Sequence, residues 1–349
     1  KEKKTGVFSQ MNKLTTLCYI EKDNKYLMLQ RIKKENDINH DKWIGVGGKF
    51  EWGESPEECM LREVREETGY TLTSWQYRGI ITFVLGEDTV EYMSLFTADG
   101  FEGTPINCNE GVLEWVEKDR IPELNLWEGD RIFFRLLEEQ KEFFSLKLVY
   151  NKQDILEQAV LDAKELELFD ILNEDGSKTG VVKERGVAHR EGALHGTVHI
   201  WIVRENDKSG YEVLLQKRSD NKDSYPGCYD ISSAGHISAG DGVMESALRE
   251  FEEELGLSAQ PEQLELFGTT LVKFETTFSG KIFRDNEFSN DFVYRQPVDI
   301  GKLKLQESEV AGVCWMDYEE CREKIADVAI PNCINPEEFE KLGSYLGIC

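Results

Sequence analysis

Two stretches of this chain carry clustered carboxylates at one spacing: Gly48-x5-Glu54-x7-Arg62-Glu63-Val64-x-Glu66-Glu67-x-Gly69 and Gly235-x5-Asp241-x7-Arg249-Glu250-Phe251-x-Glu253-Glu254-x-Gly256. They are in phase, since 235 − 48 and 256 − 69 both give 187. On a helix, residues three and four apart share a face, so Glu63, Glu66 and Glu67 line up, as do Glu250, Glu253 and Glu254. Three like charges on one face repel. Such a face is either fully solvated or holds divalent cations through oxygen ligands, the coordination Mg2+ prefers. The cluster occurs twice with a Gly loop before it, an Arg beside it and a Gly stop after it, which favours the metal reading. Carboxylate-bound cations suit attack on a diphosphate linkage. They neutralise its charged oxygens and lower the pKa of an attacking water, whose proton a nearby carboxylate can take.

The elements that must position these groups are legible in outline. In the first half, Leu14 to Tyr19 and Lys25 to Arg31 read as strands joined by the turn-prone Lys22-Asp23-Asn24. Ser55-Pro56-Glu57-Glu58 combines a cap, a Pro at the first helical position and a Glu three residues on, so it starts a helix that Gly69 is placed to stop. Tyr77 to Leu85, Glu91 to Phe96 and Gly111 to Val116 read as strands, and Asp130 to Lys141 as an amphipathic helix. The second half repeats the order. Leu168 to Leu172 and Gly180 to Val182 flank the turn Asn173-Glu174-Asp175-Gly176, and Val198 to Val203 and Tyr211 to Lys217 read as strands. A helix spans Val243 to Leu255 and ends at Gly256; then come strands at Gln263 to Val272, Asp291 to Arg295 and Val310 to Trp315, and helices at Tyr318 to Ile325 and Pro336 to Tyr345. The boundary falls in the charged stretch Leu161 to Glu167, where the lack of Pro and Gly suggests helix.

At 349 residues the chain exceeds the size one core usually reaches, and the repeat divides it into domains at 11–162 and 163–349. A hydrophobic fraction of 40% supports packed cores, and no apolar run approaches the ~20 residues that cross a bilayer. The segment Lys1 to Gln10 is polar, without the apolar stretch of a secretory signal, and reads as a short tail. Eight scattered cysteines without C-x-x-C spacing fit free thiols, and with them a cytoplasmic location. The formal charge of −26 weighs against duplex nucleic acid and anionic membrane, whereas an anionic small molecule can still bind through bridging cations.

The two carboxylate patterns are those of the Nudix box, and the chain resembles a tandem Nudix hydrolase. The resemblance implies two α/β/α sandwich domains, each a mixed sheet between helices with a loop-helix-loop box. It implies Mg2+- or Mn2+-dependent cleavage of nucleoside diphosphates linked to another moiety. By motif position, Glu63, Glu66 and Glu67 would hold metal or activate water, and Arg62 would orient Glu54. Glu250, Glu253, Glu254, Arg249 and Asp241 correspond in the second unit. Which glutamate acts as base differs within the family; Glu63 and Glu250 are assigned that role here. Many Nudix proteins dimerise, so a homodimer is the expected assembly if there is one, although no residue compels it.

The first unit resembles the oxidised-purine nucleoside triphosphate diphosphatases over nearly its whole length, through Trp43, Gly47-Gly48-Lys49, Gly103-Thr104-Pro105, Asn109-Glu110, Ile121-Pro122 and Trp127-x-x-Asp130. The resemblance implies a metal role for Glu110, substrate contact at Lys49, and a base held by Trp127 and Asp130. Two departures bear on base specificity: Ile44 stands where relatives can carry an amide, and Gly129 replaces one of two neighbouring acids. The alternative for Trp127 and Asp130 is a core residue and a helix cap.

The second unit resembles the isopentenyl-diphosphate-isomerase-like Nudix branch, through His189-Arg190-x-Gly192-x-Leu194-His195, Leu215-Gln216-Lys217-Arg218, Pro226-Gly227 and Asp230-Ile231-Ser232-Ser233-Ala234-Gly235-His236. His189, His195 and His236 match that branch's histidine positions, with Asp285 and Glu287 as candidate carboxylates. These histidines would hold a second metal or line a polar pocket; both readings stand. Ala234 occupies the place of the isomerase Cys and cannot transfer a proton. With its box intact, the unit reads as a hydrolase, and Glu309 is a candidate additional ligand.

Overall fold

A computed structural model describes residues 12–33, 37–207, 210–222, 224–278, 281–327 and 329–348, without the side chains of 278, 281 and 282. The Lys1 to Gln10 tail and Cys349 lie outside them; the other seven cysteines are free thiols. The chain divides into two compact units, one comprising residues up to Leu168 with Val182–Val187, the other Phe169–Val181 with Ala188 onward.

In the first unit the strands are β1 (Lys13–Lys22), β2 (Lys25–Gln30), β3 (Trp43–Ile44), β4 (Tyr70–Leu85), β5 (Thr89–Gly103), β6 (Val112–Glu117), β7 (Phe144–Tyr150), β8 (Leu156–Leu161) and β9 (Lys164–Glu165), with helices α1 (Pro56–Thr68) and α2 (Glu128–Glu138). The sheet order is β3-β2-β1-β5-β4-β7-β8-β9, with β6 on β2. It is mixed, since β1 runs parallel to β5 and β4 to β7 while the other pairs are antiparallel. The turn between β1 and β2 places Asp23 and Asn24 at positive φ, the conformation a two-residue hairpin of this hand requires. One face of the sheet packs Cys18, Ile20, Leu27 and Phe96 against Met60 and Val64 of α1. On the other side the buried Tyr19 packs edge-on against Phe134 of α2.

The stretch Leu161 to Glu167 is a hairpin rather than a helix. Asp162 and Ala163 both take positive φ, and the Asp162 carboxylate accepts from the Ser145 backbone at 2.9 Å and from Lys141 at 2.5 Å. These local bonds fix the turn and pair β8 with β9. Strands β4 and β5 run well beyond their apolar segments, because ladder bonds need only backbone. Register shifts at Leu72/Ser74, Ser74/Trp75 and Tyr77/Gly79 break the alternation that sequence periodicity relies on.

The elements that follow, which apart from Leu168 and Val182–Val187 belong to the second unit, are β10 (Leu168–Leu172), β11 (Lys178–Glu184), α3 (Arg185–Glu191), β12 (His195–Asn206), β13 (Gly210–Arg218), β14 (Tyr229–Asp230), β15 (Ser233–His236), α4 (Val243–Leu255), β16 (Leu264–Phe278), β17 (Lys281–Tyr294), β18 (Val310–Asp317), α5 (Tyr318–Ala326) and α6 (Pro336–Leu346). Strand β12 is central, pairing with β10, β13, β15 and, in parallel, β17. Its alternation sorts the two cores. Val198, Ile200 and Ile202 pack with Ala247, Phe251 and Leu255 of α4, while Trp201 and Val203 pack with Tyr318 of α5 and Phe339 of α6. Both units are therefore helix-sheet-helix layers.

Candidate functional site

Helix α1 begins as its sequence dictates. The Ser55 side chain accepts from the Glu58 backbone at 3.2 Å and the Glu58 carboxylate takes the Ser55 N–H at 2.8 Å, a reciprocal cap worth about 1 kcal/mol. Gly69 closes the helix at φ 78°, where an L side chain is strained. Between these ends the three box glutamates differ in environment. Glu67 is buried and accepts from the Gly47 N–H at 3.2 Å, Glu63 lies against Gly48, and Glu66 is exposed. A Cβ on Gly48 would sit 2.4 Å from the Glu63 carboxylate carbon, so the glycine is what lets this carboxylate lie against the loop backbone.

Arg62 grips Glu54 through two bonds of 2.7 and 2.9 Å, reaches Glu63 at 2.8 Å and donates to the Lys49 carbonyl at 3.0 Å. That pairing holds the Glu54 carboxyl down at about 2. Glu67 goes the other way. Burial, then the charge of Glu110, push it up to about 8 against the Gly47 hydrogen bond. Glu63 and Glu110 both line a cleft of about 800 Å3, together with Arg31, Lys13 and Lys49. Arg31 pairs with Glu110 and, at 2.6 Å, with Asp37.

Trp127 and Asp130 line the same cleft. Trp127 is buried edge-on to Phe83 and Tyr150, and its indole N–H donates to the Asn39 side-chain oxygen at 2.8 Å. Asp130 is buried at the start of α2, hydrogen-bonded to the Trp127 backbone. Burial raises its carboxyl to about 7, with Lys42 and Arg131 opposing. Trp127 and Asp130 are thus packed residues that also wall the cavity. Gly129 has a steric reason. A Cβ there would lie 2.5 Å from Leu148 Cδ1 and 2.6 Å from the Tyr150 hydroxyl, which accepts the Gly129 N–H at 2.7 Å. The space of a second acid is already filled. Ile44 lines the cleft as an apolar group.

The second box repeats the arrangement with changes. Glu254 is buried and accepts from the Ala234 N–H at 3.1 Å; burial raises it to about 8. Glu250 lies against Gly235 as Glu63 does against Gly48, and Glu253 is exposed. Arg249 bonds Glu250 at 2.8 Å and the His236 carbonyl at 3.2 Å. Among the described residues it makes no ion pair with Asp241, whose shorter side chain leaves the Glu54-type clamp unmade. Glu309 pairs with Lys222.

Side chains from four separated segments converge beside this box. Ring nitrogens of His189, His195 and His236 lie within 4.8 Å of one another, and a ligand atom of His195 is equally close to Asp285 and Glu287. The cause is sheet register: parallel pairing sets His195 opposite Glu287, and β15 sets His236 opposite Thr197. Phe169 stacks on His195 and His236, each at 4.7 Å, and Phe283 stacks on His189 at 4.6 Å. Burial works against the charge of Glu287, but His236, His195 and His199 hold its carboxyl well below the usual range. His199 belongs to a different network. It bonds Glu338 of α6 at 2.8 Å with Asp291 nearby, and Trp201 donates to Glu338 at 2.6 Å. Burial lowers the His199 pKa, yet Glu338 and its neighbours bring it up to about 10, so the imidazolium fastens α6 to the sheet.

The NUDIX domain model matches residues 11–137 and 193–332, together more than half of the chain. The chain belongs to the Nudix family. It is 46% identical over 158 residues to Nudix hydrolase 3 of Arabidopsis thaliana, across 45% of this chain and 20% of that protein. It is 30% identical over 155 residues to the oxidized purine nucleoside triphosphate hydrolase of Danio rerio, across 44% of this chain and 97% of that protein. The crystal structure of a MutT protein from Bacillus halodurans matches 43% of this chain and 97% of its own, at 29% identity and a TM-score of 0.39. The chain thus spans a fifth of the length of its Arabidopsis relative. Among the described residues, no helix is long and apolar enough to cross a membrane.

Outside the Nudix boxes, sequence reasoning left Asn39 unremarked. Its signal was weak, a polar residue in a polar loop. Only its bond to Trp127, 88 residues away, marks it.

Proposed function

We propose that the chain is a tandem of two Mg2+-dependent pyrophosphohydrolase domains, 11–162 and 163–349, the first converting purine nucleoside triphosphates, oxidised ones included, to monophosphate and pyrophosphate. The supporting observation is the cleft in which Glu63 and Glu110 share walls with cationic Lys13, Lys49 and Arg31 and with Trp127 and Asp130. It offers phosphate-binding charge and a base-sized apolar wall in one cavity, as a nucleotide requires. The name of the Danio rerio relative agrees with this reading.

The donor set fits Mg2+. It is all oxygen, and a buried glutamate is raised to about 8 by desolvation and by a second carboxylate, the environment a cation would relieve. Glu63, Glu66, Glu67 and Glu110 would hold the metal in the first unit, and Glu250, Glu253 and Glu254, with Glu309 recruited from Lys222, in the second. Bound there, Mg2+ supplies charge neutralisation on the phosphates and a lowered pKa for water. The remaining steps belong to the protein. Arg62, braced by Glu54, fixes the Glu63 carboxylate at the cleft wall. Glu63 accepts the proton of the attacking water as its oxygen bonds to phosphorus and the bridging P–O bond breaks, releasing pyrophosphate. Lys49 and Arg31 offset the charge of the leaving group. Trp127 and Asp130 set the base. Glu250 takes the base role in the second unit, with Arg249 beside it.

A second reading applies to the second unit, because its His189, His195, His236, Asp285 and Glu287 assembly suits a metal in an isomerase-like site. Ala234 offers only a backbone N–H to Glu254, so no side chain there can protonate an alkene. Hydrolysis is the better-supported activity. The test is a Mg2+-dependent panel of nucleoside triphosphates, nucleotide sugars, dinucleoside polyphosphates and prenyl diphosphates, with products identified by mass. Wild type, Glu67→Gln and Glu254→Gln are compared. Each variant is expected to lose a different activity; one substitution silencing every substrate overturns the two-site reading. Gain of isomerase activity in Ala234→Cys would favour the second reading.

A further inference from the structure

The base wall of the first cleft lacks an amide at position 44 but has one on a different loop. Residues 37–42 form a braced turn: Arg31 holds the Asp37 carboxylate at 2.6 Å, and Asp37 accepts the Asn39 backbone N–H at 3.1 Å. Asp41 N–H donates to the Arg31 carbonyl at 2.7 Å and Lys42 N–H to the Asn39 carbonyl at 2.9 Å. The Asn39 side chain is then fixed by chemistry. An indole nitrogen is a donor only, so the atom it meets at 2.8 Å must be the amide oxygen. That orientation leaves the Asn39 amide NH2 with both hydrogens available, and among the described residues no acceptor takes them. Asn39 lines the cleft beside Trp127 and Asp130.

A donor pair next to a carboxylate acceptor has a defined complement. The edge of a 6-oxopurine presents a carbonyl acceptor at C6 beside an N1–H donor. A 6-aminopurine presents the reverse, an amino donor beside a bare ring nitrogen. We propose that Asn39 is a specificity-determining residue of the first unit, its amide NH2 donating to the C6 carbonyl of a 6-oxopurine whose N1–H is accepted by Asp130. The assignment rests on the nucleoside triphosphate reading given above. It locates the discriminating amide on the 37–42 turn, where Ile44 supplies only apolar contact.

The test compares deoxyinosine and deoxyadenosine triphosphates, which differ only along that edge, at pH 8.5 with saturating Mg2+. Enzymes are wild type, Asn39→Asp and Asn39→Ala in the full chain. Asn39→Asp keeps an oxygen for the Trp127 indole while replacing the donor by an acceptor, so it separates base reading from support of Trp127. Wild type is expected to favour deoxyinosine triphosphate, and Asn39→Asp to lower the inosine-to-adenosine ratio of kcat/KM by about tenfold or more, with thermal stability near wild type. Asn39→Ala is expected to lower the ratio less, removing the donor without adding an acceptor. A ratio unchanged in both variants while turnover persists overturns the assignment and leaves the triphosphatase reading standing. A wild type that prefers the adenine nucleotide also overturns it. Failure of wild type to hydrolyse any nucleoside triphosphate removes both together.

Discussion

Replacing Gly48 by Ala would test whether the box loop is shaped around a carboxylate. Gly48 does not occupy the left-handed region, so its backbone accepts an alanine, and the substitution stabilises the chain slightly through the unfolded state. The conflict lies with Glu63, whose carboxylate carbon and nearer oxygen would both sit 2.4 Å from the new Cβ, where ordinary contact begins near 3.4 Å. The flexible end of Glu63 must retreat by about 1 Å, and a displacement of that size at a reacting group costs roughly 10^2-fold in rate. Arg62, tied to Glu54 by two bonds, cannot follow it without breaking that pair. The expected result is therefore a loss of about two decades in kcat for the first-unit activity, with KM little changed and Tm within a few degrees of wild type. Gly235→Ala, whose Cβ would lie 2.0 Å from the Glu250 carboxylate carbon, should do the same to the second unit alone. Full activity in a folded Gly48→Ala protein would refute the placement of Glu63 in the reaction.

Two more outcomes follow from the same geometry. Arg62→Lys gives up the two-bond grip on Glu54 and should lower first-unit activity by at least tenfold, whereas Arg249→Lys, with no such grip on Asp241, should cost the second unit less; equal losses in steady-state rates would contradict the asymmetry. The Asp130 carboxyl is raised by burial to about 7, so its protonated form is the one the fold favours: that stability is fully present below about pH 4 and is lost as pH rises toward 7. Asp130→Asn should narrow this loss by up to about 4 kcal/mol, measured as the wild-type minus variant difference in denaturant stability at pH 4.5 and 8, and an identical difference at both pH values would count against it.

The parts of this molecule that were legible in sequence are those whose causes are local. Ser55, Pro56, Glu58 and Gly69 fix the box helix within its own 15 residues, and Val243 to Gly256 does the same in the second unit. The stretch from Leu161 to Glu167 misled because charge and the absence of Gly resemble helix, while the deciding bonds come from Lys141 and Ser145. Strands β7 and β8 went unseen for a related reason: their alternation, as in Phe144, Leu146, Leu148 and Tyr150, acquires meaning only once β4 lies alongside. The histidine cluster shows the limit most clearly. His189 to His236 could be matched as a motif, but the meeting of His195 with Glu287 depends on the offset at which β12 and β17 pair, and no residue near either states that offset.

The two units carry the same box, yet what surrounds it differs at every point where a substrate would be chosen. Beside Glu63 the structure places cations, an indole and an amide; beside Glu250 the neighbouring segments bring three imidazoles, Asp285 and Glu287. The box itself explains the shared part, since a buried glutamate bonded to a loop N–H and a second glutamate lying against a glycine recur in both. Its arginine donates to the equivalent loop carbonyl in both units, Lys49 and His236, but clamps a carboxylate, Glu54, only in the first among the described residues. Through the His236 carbonyl, Arg249 ties the box helix to a member of the histidine cluster. A substitution that moves His236 should therefore disturb the second box without touching a glutamate; in the first unit the equivalent carbonyl belongs to Lys49 rather than to an imidazole-bearing residue.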